Sequence, residues 1–190
     1  MPPKTKITKE MLLEQAFQIA EAQGIAAVTS RSVAKAAGCS IQPVFSHFPT
    51  MEDLRQATFQ YACHRFVEEV LAFEGRPDFM PRVTKWVLDL ARERPNLFRL
   101  LYLSDGFSGD SMLSMMMQFE SNRRMIAAME TGCGLSRERC EDILMRSCLL
   151  LLGISTMICM NHVTITDQQA AQMMKQTVQD MISGAKEETP

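Results

Sequence analysis

Residues 29–54 constrain the fold more than any other stretch, because they read as two very short helices joined at one glycine and followed by the start of a long one. Ser30 can cap the first short helix, which puts Val33, Ala34 and Ala37 on one buried face. Gly38 can adopt the left-handed conformation that ends it. Ser40 then caps a second short helix, which Val44, Phe45 and Phe48 fix inward. Pro49 stops that helix, and Thr50 opens the next with Asp53 in capping-box position. Two short helices packed steeply across a tight turn form a helix-turn-helix, whose second helix can lie in the major groove of DNA.

Helical periodicity covers nearly all of the remaining chain, and strand signals are nearly absent. Over residues 8–23, Leu12, Leu13, Ala16, Phe17 and Ala20 repeat at helical spacing, Ile7 can staple against Leu12, and Gly24 ends the run. A helix over 51–73 offers Leu54, Tyr61, Phe66, Val67, Val70 and Leu71 to a core, and its length suits a connector. Gly75, Arg76, Pro77 and Asp78 make the clearest break. Further helices are expected over 80–94, 96–103, 110–131, 137–161 and 167–183. Pro95 interrupts the first two, Asp105, Gly106 and Gly109 form a loop, Ser136 is a cap, and Thr166 with Gln169 is a capping box. The expectation is an all-α chain with a three-helix head in residues 1–50, a connector helix over 51–73, and a helical body in residues 51–190.

At 190 residues the chain can bury a sizeable core in one or two domains. Its 46% apolar and 22% charged residues are ordinary for a globular protein. The net charge of −2 argues against non-specific nucleic-acid binding, but the distribution is uneven. Residues 1–50 carry five basic side chains (Lys4, Lys6, Lys9, Arg31 and Lys35) against three acidic ones, and the other 140 residues carry 15 against 19. A mildly basic head on an acidic body fits a DNA-binding head with a separate task for the body. No N-terminal stretch pairs basic residues with an apolar run, and the apolar run 148–160 is too short to span a bilayer. A cytoplasmic protein with no membrane partner is therefore expected.

Against this background the first 60 residues resemble the N-terminal domain of the TetR family of bacterial transcriptional regulators. The resemblance rests on Ala16-Phe17 ahead of Gln23-Gly24, on Val28 to Arg31, and on Val33 to Ser40. Val44-Phe45-Ser46-His47-Phe48-Pro49 stands where the family usually shows Leu-Tyr-x-Tyr/His-Phe. The body has no matching motif, yet its helices are similar in number, length and order to the family plan. The resemblance implies a homodimer through the last two long helices, a body that binds a small apolar effector, and release from a palindromic operator when that effector binds.

On this resemblance the second short helix is the recognition helix, and Ser40, Ile41, Gln42, Pro43, Ser46 and His47 face the groove. Gln42 can pair bidentately with adenine, and Ile41 or Pro43 can touch a thymine methyl or simply shape the helix. Arg31 can reach a guanine or a phosphate, Thr29 and Ser30 suit phosphate oxygens, and Lys35 adds charge. Two positions depart from the family. Phe45 sits in the DNA-binding set without the hydroxyl of a Tyr, and Met51 replaces a Lys that usually contacts the backbone.

Thirteen of the sixteen methionines follow residue 79, Met112, Met115, Met116 and Met117 among them. Unbranched, polarisable side chains suit either a pocket for varied apolar shapes or an ordinary core. Phe66, Trp86, Leu90, Phe98, Tyr102, Met116, Phe119 and Met145 are the candidate effector-pocket residues. The six cysteines (Cys39, Cys63, Cys133, Cys140, Cys148 and Cys159) form no C-x-x-C pair and read as buried thiols. Cys148 and Cys159 share a helix face, with Cys140 within about a quarter turn, which leaves a thiol- or metal-responsive regulator as one rival. A TetR-like protein-interaction module without operator binding is the other. His64 and His162 lie far apart, with no nucleophile pattern, phosphate-binding glycine loop or paired carboxylates. Neither an enzyme, nor a cofactor, nor a resident metal is expected.

Overall fold

The computed structural model describes residues 7–104, 116–117 and 119–187, and among them it contains nine α-helices and no strand. They form two compact units, one of residues 7–68 with 94–104, the other of 69–93, 116–117 and 119–187. The all-α architecture is the one expected. The division into units differs from a cut at residue 50, because the first unit also takes in a later stretch of chain.

The first unit begins with α1 (Lys9–Gln23), where Thr8 Oγ1 accepts from the Met11 amide at 3.2 Å. Leu12, Ala16, Phe17 and Ala20 form its buried stripe. Gly24, at φ +87°, ends it in a conformation that a side chain would strain, and a 3₁₀ turn over Ile25–Ala27 follows. Helix α2 (Ser30–Ala36) begins one residue earlier than a Ser30 cap would require. Thr29 is the N-cap: its Oγ1 accepts from the Ser32 amide at 3.1 Å, and Ser32 Oγ accepts from the Thr29 amide at 2.9 Å. A cap at Ser30 would have placed Val33 in the reciprocal position, and Val33 has no acceptor to offer. Gly38 turns the chain at φ +64°, and α3 (Ile41–His47) starts with Ser40 in the N-cap position but without a side-chain bond.

Val44 and Phe48 anchor α3 in the core, four residues apart on one face. Phe45 does not join them. One residue along a helix turns the side chain by ~100°, and Phe45 is left 44% exposed. Helix α4 (Met51–Leu71) opens on the Thr50–Asp53 box, with the Thr50 amide donating to Asp53 Oδ2 at 2.9 Å. Its buried ladder is Leu54, Thr58, Ala62, Phe66 and Val70, each four residues on, whereas Leu71 is exposed. The Thr58 hydroxyl is satisfied by donating to the Leu54 carbonyl at 2.7 Å.

Helix α5 (Phe79–Glu93) belongs to the second unit, and Pro95 starts α6 (Pro95–Tyr102), which returns to the first. Asn96 Nδ2 donates to the Glu21 carbonyl at 3.1 Å and Arg94 pairs with Glu21, fixing α6 on α1. Phe98 is fully buried there, with Tyr102 5.2 Å from it and Phe66 edge-on to Tyr102 at 6.0 Å.

In the second unit, α8 (Arg137–Asn161) is the spine, packed by α5, α7 (Glu120–Cys133) and α9 (Asp167–Glu187). Ser136 caps α8 through the Arg139 amide, and Thr166 with Gln169 caps α9. Helix α8 is long and apolar enough to cross a membrane, but Ile143, Leu144, Leu151, Ile154 and Ile158 form the spine's buried face. Gly134, at φ +70°, ends α7 as a left-handed cap. Of the Met-rich helix expected over 110–131, the part from Glu120 is present. Met112 and Met115, the loop at Asp105, Gly106 and Gly109, and Lys4 and Lys6 lie outside the described residues.

Candidate functional site

The first unit presents one surface built from α2 and α3. Because Val33, Ala34, Val44 and Phe48 all point inward, the opposite faces of both short helices are left to solvent. Ser40, Ile41, Gln42, Phe45, Ser46 and His47 are exposed there, Ile41 to 47%, and Pro43 is half-buried. Arg31 and Lys35 are exposed on α2, one turn apart. Two large apolar side chains, Ile41 and Phe45, facing water on a seven-residue helix are costly to hydrate and mark a contact surface.

The polar groups of this surface differ in how committed they are. Thr29 is spent on the capping box, with Oγ1 also 3.0 Å from Ser32 Oγ, and Ser30 is half-buried beside it. Ser46 donates its proton to the Gln42 carbonyl at 2.9 Å, which leaves its lone pairs to accept. Lys9 of α1 stacks its ammonium over the Phe48 ring at 5.6 Å. All eleven predicted DNA-contact residues thus lie on α2, α3 or their caps.

The eight candidate effector residues divide between the two units. Phe66, Phe98 and Tyr102 form the aromatic cluster of the first unit, while Trp86, Leu90, Met116, Phe119 and Met145 are in the second. There Trp86 Nε1 donates to Glu69 at 3.0 Å, Phe119 lies 6.2 Å from Phe79, and Leu90 and Met116 are buried.

A cavity of about 530 Å³ opens elsewhere in the second unit, between α5, α7, α8 and α9, and none of the eight lines it. Its floor is Leu88, Ile143, Leu144 and Ser147, all buried. Its walls are half-buried and rich in methionine, with Met80, Met125, Met129 and Met174 beside Thr84 and Val178. Pro81, Lys85, Asp167, Ala171, Lys175 and Gln179 lie towards the mouth. The size is within the ~300–1,000 Å³ of ordinary ligand sites, and an apolar interior with few polar groups is their usual make-up. Helical spacing carried a partial signal: Met80, Thr84 and Leu88 repeat every four residues, as do Met125 and Met129. Which helices meet around the space was not legible.

Charges at the mouth are mostly neutralised. Lys85 Nζ lies 2.8 Å from Asp89 and 3.4 Å from Asp167, and Asp167 accepts from Arg92 at 2.6 Å. The Arg92 hydrogen bond, with its charge and that of Lys85, holds the Asp167 carboxyl below the usual range. Three of the six cysteines are set against thiolate chemistry. Burial pushes the Cys63 and Cys148 thiols up to about 11, and burial first, then nearby Glu130, raises Cys140. Among the described residues no group of three or more His, Cys, Asp or Glu is arranged to hold a metal ion.

Residues 12–58 match the family model described as bacterial regulatory proteins, tetR family. In fold the chain is similar to the multidrug binding protein EbrR, whose crystal structure is complexed with imidazole: TM-score 0.58, 14% identity, 90% of this chain and 95% of that one. A TetR-like transcriptional regulator from Rhodococcus sp. RHA1 is similar at TM-score 0.59 and 15% identity, over 94% of this chain and 100% of that one. At such identities the likeness speaks for the fold alone. No curated protein sequence matches the chain.

Proposed function

We propose that the chain, which carries a tetR-family domain over residues 12–58, is a DNA-binding transcriptional regulator, a homodimeric repressor released from a palindromic operator by a small apolar effector. The observation that carries this is the exposed face of α3, where Ile41, Gln42, Ser46 and His47 stand clear of the core that Val44 and Phe48 fix, beside Arg31 and Lys35. One such helix reads one half-site, so a two-fold symmetric site calls for two chains.

An apolar stripe on the last two long helices supports the dimer. Leu149, Met157 and Met160 are exposed along one side of α8, with Val163 and, on α9, Met173. Gly153 sits within the stripe, where an added Cβ would meet nothing within 4 Å, and an exposed mid-helix glycine costs roughly 1 kcal/mol relative to alanine unless close approach needs it. The cavity supports the effector, as does the similarity in fold to a protein described as multidrug binding. An effector releases DNA only if it binds the DNA-incompetent state more tightly. Thiols raised well above neutral pH disfavour the redox rival.

The test is selection of genomic fragments by the purified protein at near-physiological salt with excess competitor DNA. The expected result is a two-fold symmetric site whose affinity falls steeply with salt. Gln42→Ala should then cost about 1–3 kcal/mol and relax the preference at one base pair, while Arg31→Ala weakens binding to all sequences. If no site is enriched, the interaction-module alternative takes over.

A further inference from the structure

We propose that the cavity of the second unit takes a single-tailed amphiphile with an anionic head, its tail among the methionines and its head at Lys175. The graded polarity of the cavity carries this. Its charged lining residues are Lys85, Asp167 and Lys175, and none of them belongs to the buried floor. The floor hydroxyl, Ser147, spends its proton on the Ile143 carbonyl at 2.7 Å, so it makes no demand on a hydrocarbon tail. Four long, unbranched thioether side chains (Met80, Met125, Met129 and Met174) can mould to a flexible chain.

The sign of the head follows from the mouth. Lys85 is already held by Asp89 and Asp167, and Asp167 by Arg92, so those four charges sum to zero. Lys175 makes no ion pair among the described residues and is the uncompensated charge at the mouth. A ligand that closes the mouth removes water from this ammonium. An anionic head replaces that water with a charge-assisted hydrogen bond, a neutral head does so weakly, and a cationic head adds repulsion. Because α9 supplies Ala171, Met174, Lys175 and Val178 to the cavity, binding bears directly on the position of that helix.

The inference deepens the regulator reading and rests on it only for its consequence, so two measurements separate them. Calorimetric titration of the full chain with decanoate, decanol and decylamine below their aggregation thresholds tests the ligand class without DNA. The expected result is one decanoate per chain, bound at least fivefold more tightly than decanol and more tightly still than decylamine. Each methylene removed from the tail should weaken binding about fourfold. Lys175→Gln, at an exposed position, should erase the preference for decanoate over decanol and leave decanol within twofold. Met129→Trp, which fills the wall, should lose all three ligands, with circular dichroism verifying the fold. A preference for decylamine, a decanoate preference that survives Lys175→Gln, or no binding at all would overturn the proposal. Loss of selected operator fragments on adding decanoate shows the consequence. Failure to select any operator, with decanoate still bound, would instead remove the regulator reading and leave the site.

Discussion

At the scale of single residues, the start of α2 sets a prediction that separates two neighbouring hydroxyls. Thr29 and Ser32 exchange backbone-to-side-chain bonds at 3.1 and 2.9 Å, whereas Ser30 takes no part in the box. Thr29→Ala should therefore lower unfolding stability by about 1 kcal/mol, and Ser30→Ala by about 0.5 kcal/mol or less, read from urea midpoints. Equal effects would mean that the cap is shared. The sequence allowed either hydroxyl, because both precede the helical run and only the partner three residues on distinguishes them. The same one-residue resolution failed at Phe45. Hydrophobic content placed it with Val44 and Phe48, but in a seven-residue helix Val44 takes the inward face and Phe48, the C-cap, closes the core just beyond it. The place of Phe45 in the proposed DNA-facing set rests instead on the family's Tyr, and its exposure is consistent with that place. On that footing Phe45→Tyr should leave stability unchanged and tighten operator binding severalfold through an added phosphate contact.

At the scale of elements, nearly every helix was legible from caps and periodicity, but the company each keeps was not. Helix α6 was expected as part of the body, yet Phe98 is fully buried in the unit that contains α1. Apolar spacing reports that a face is buried and is silent about what covers it. For the same reason none of the eight proposed pocket residues lines the cavity of the second unit: bulky aromatics announce burial anywhere, whereas that cavity is bounded by methionines indistinguishable in sequence from core filler. The start of α9 gives a prediction at this scale. Arg92 bonds Asp167 at 2.6 Å and the Ile165 carbonyl at 2.7 Å, fixing the helix's first turn. The Asp167 carboxyl is held below its ordinary value of 3.8, so its contribution is full above that value and disappears as pH falls through the lowered one. With both partners partly exposed the contribution is about 0.5 kcal/mol. Asp167→Asn should thus be slightly destabilised at pH 6 in urea titrations, with the gap to wild type closing below pH ~3.8. A gap that stays constant with pH would place the effect in packing.

For the whole molecule, chain connectivity gives the proposed regulation a route: α5 lines the cavity and leads through Arg94 into α6, which Asn96 fixes on α1. What such a route can control depends on whether two chains act together, and the stripe of Leu149, Met157 and Met160 decides that. In a monomer these side chains lie in water, so Leu149→Glu with Met157→Glu would alter stability by about 0.5 kcal/mol or less per site. In a dimer closed over the stripe, each carboxylate would be buried without a partner, at a cost of several kcal/mol. The double variant should therefore fold as wild type does and sediment at 21.5 kDa, while wild type sediments at twice that mass. Its operator affinity should fall by a factor of 100 or more, because the two heads no longer share an effective concentration and each half-site binds alone. Binding of decanoate should persist, since neither Leu149 nor Met157 lines the cavity. A double variant that remains a dimer would move the interface elsewhere. A wild type that is monomeric while holding a two-fold site would assign dimerisation to the DNA itself.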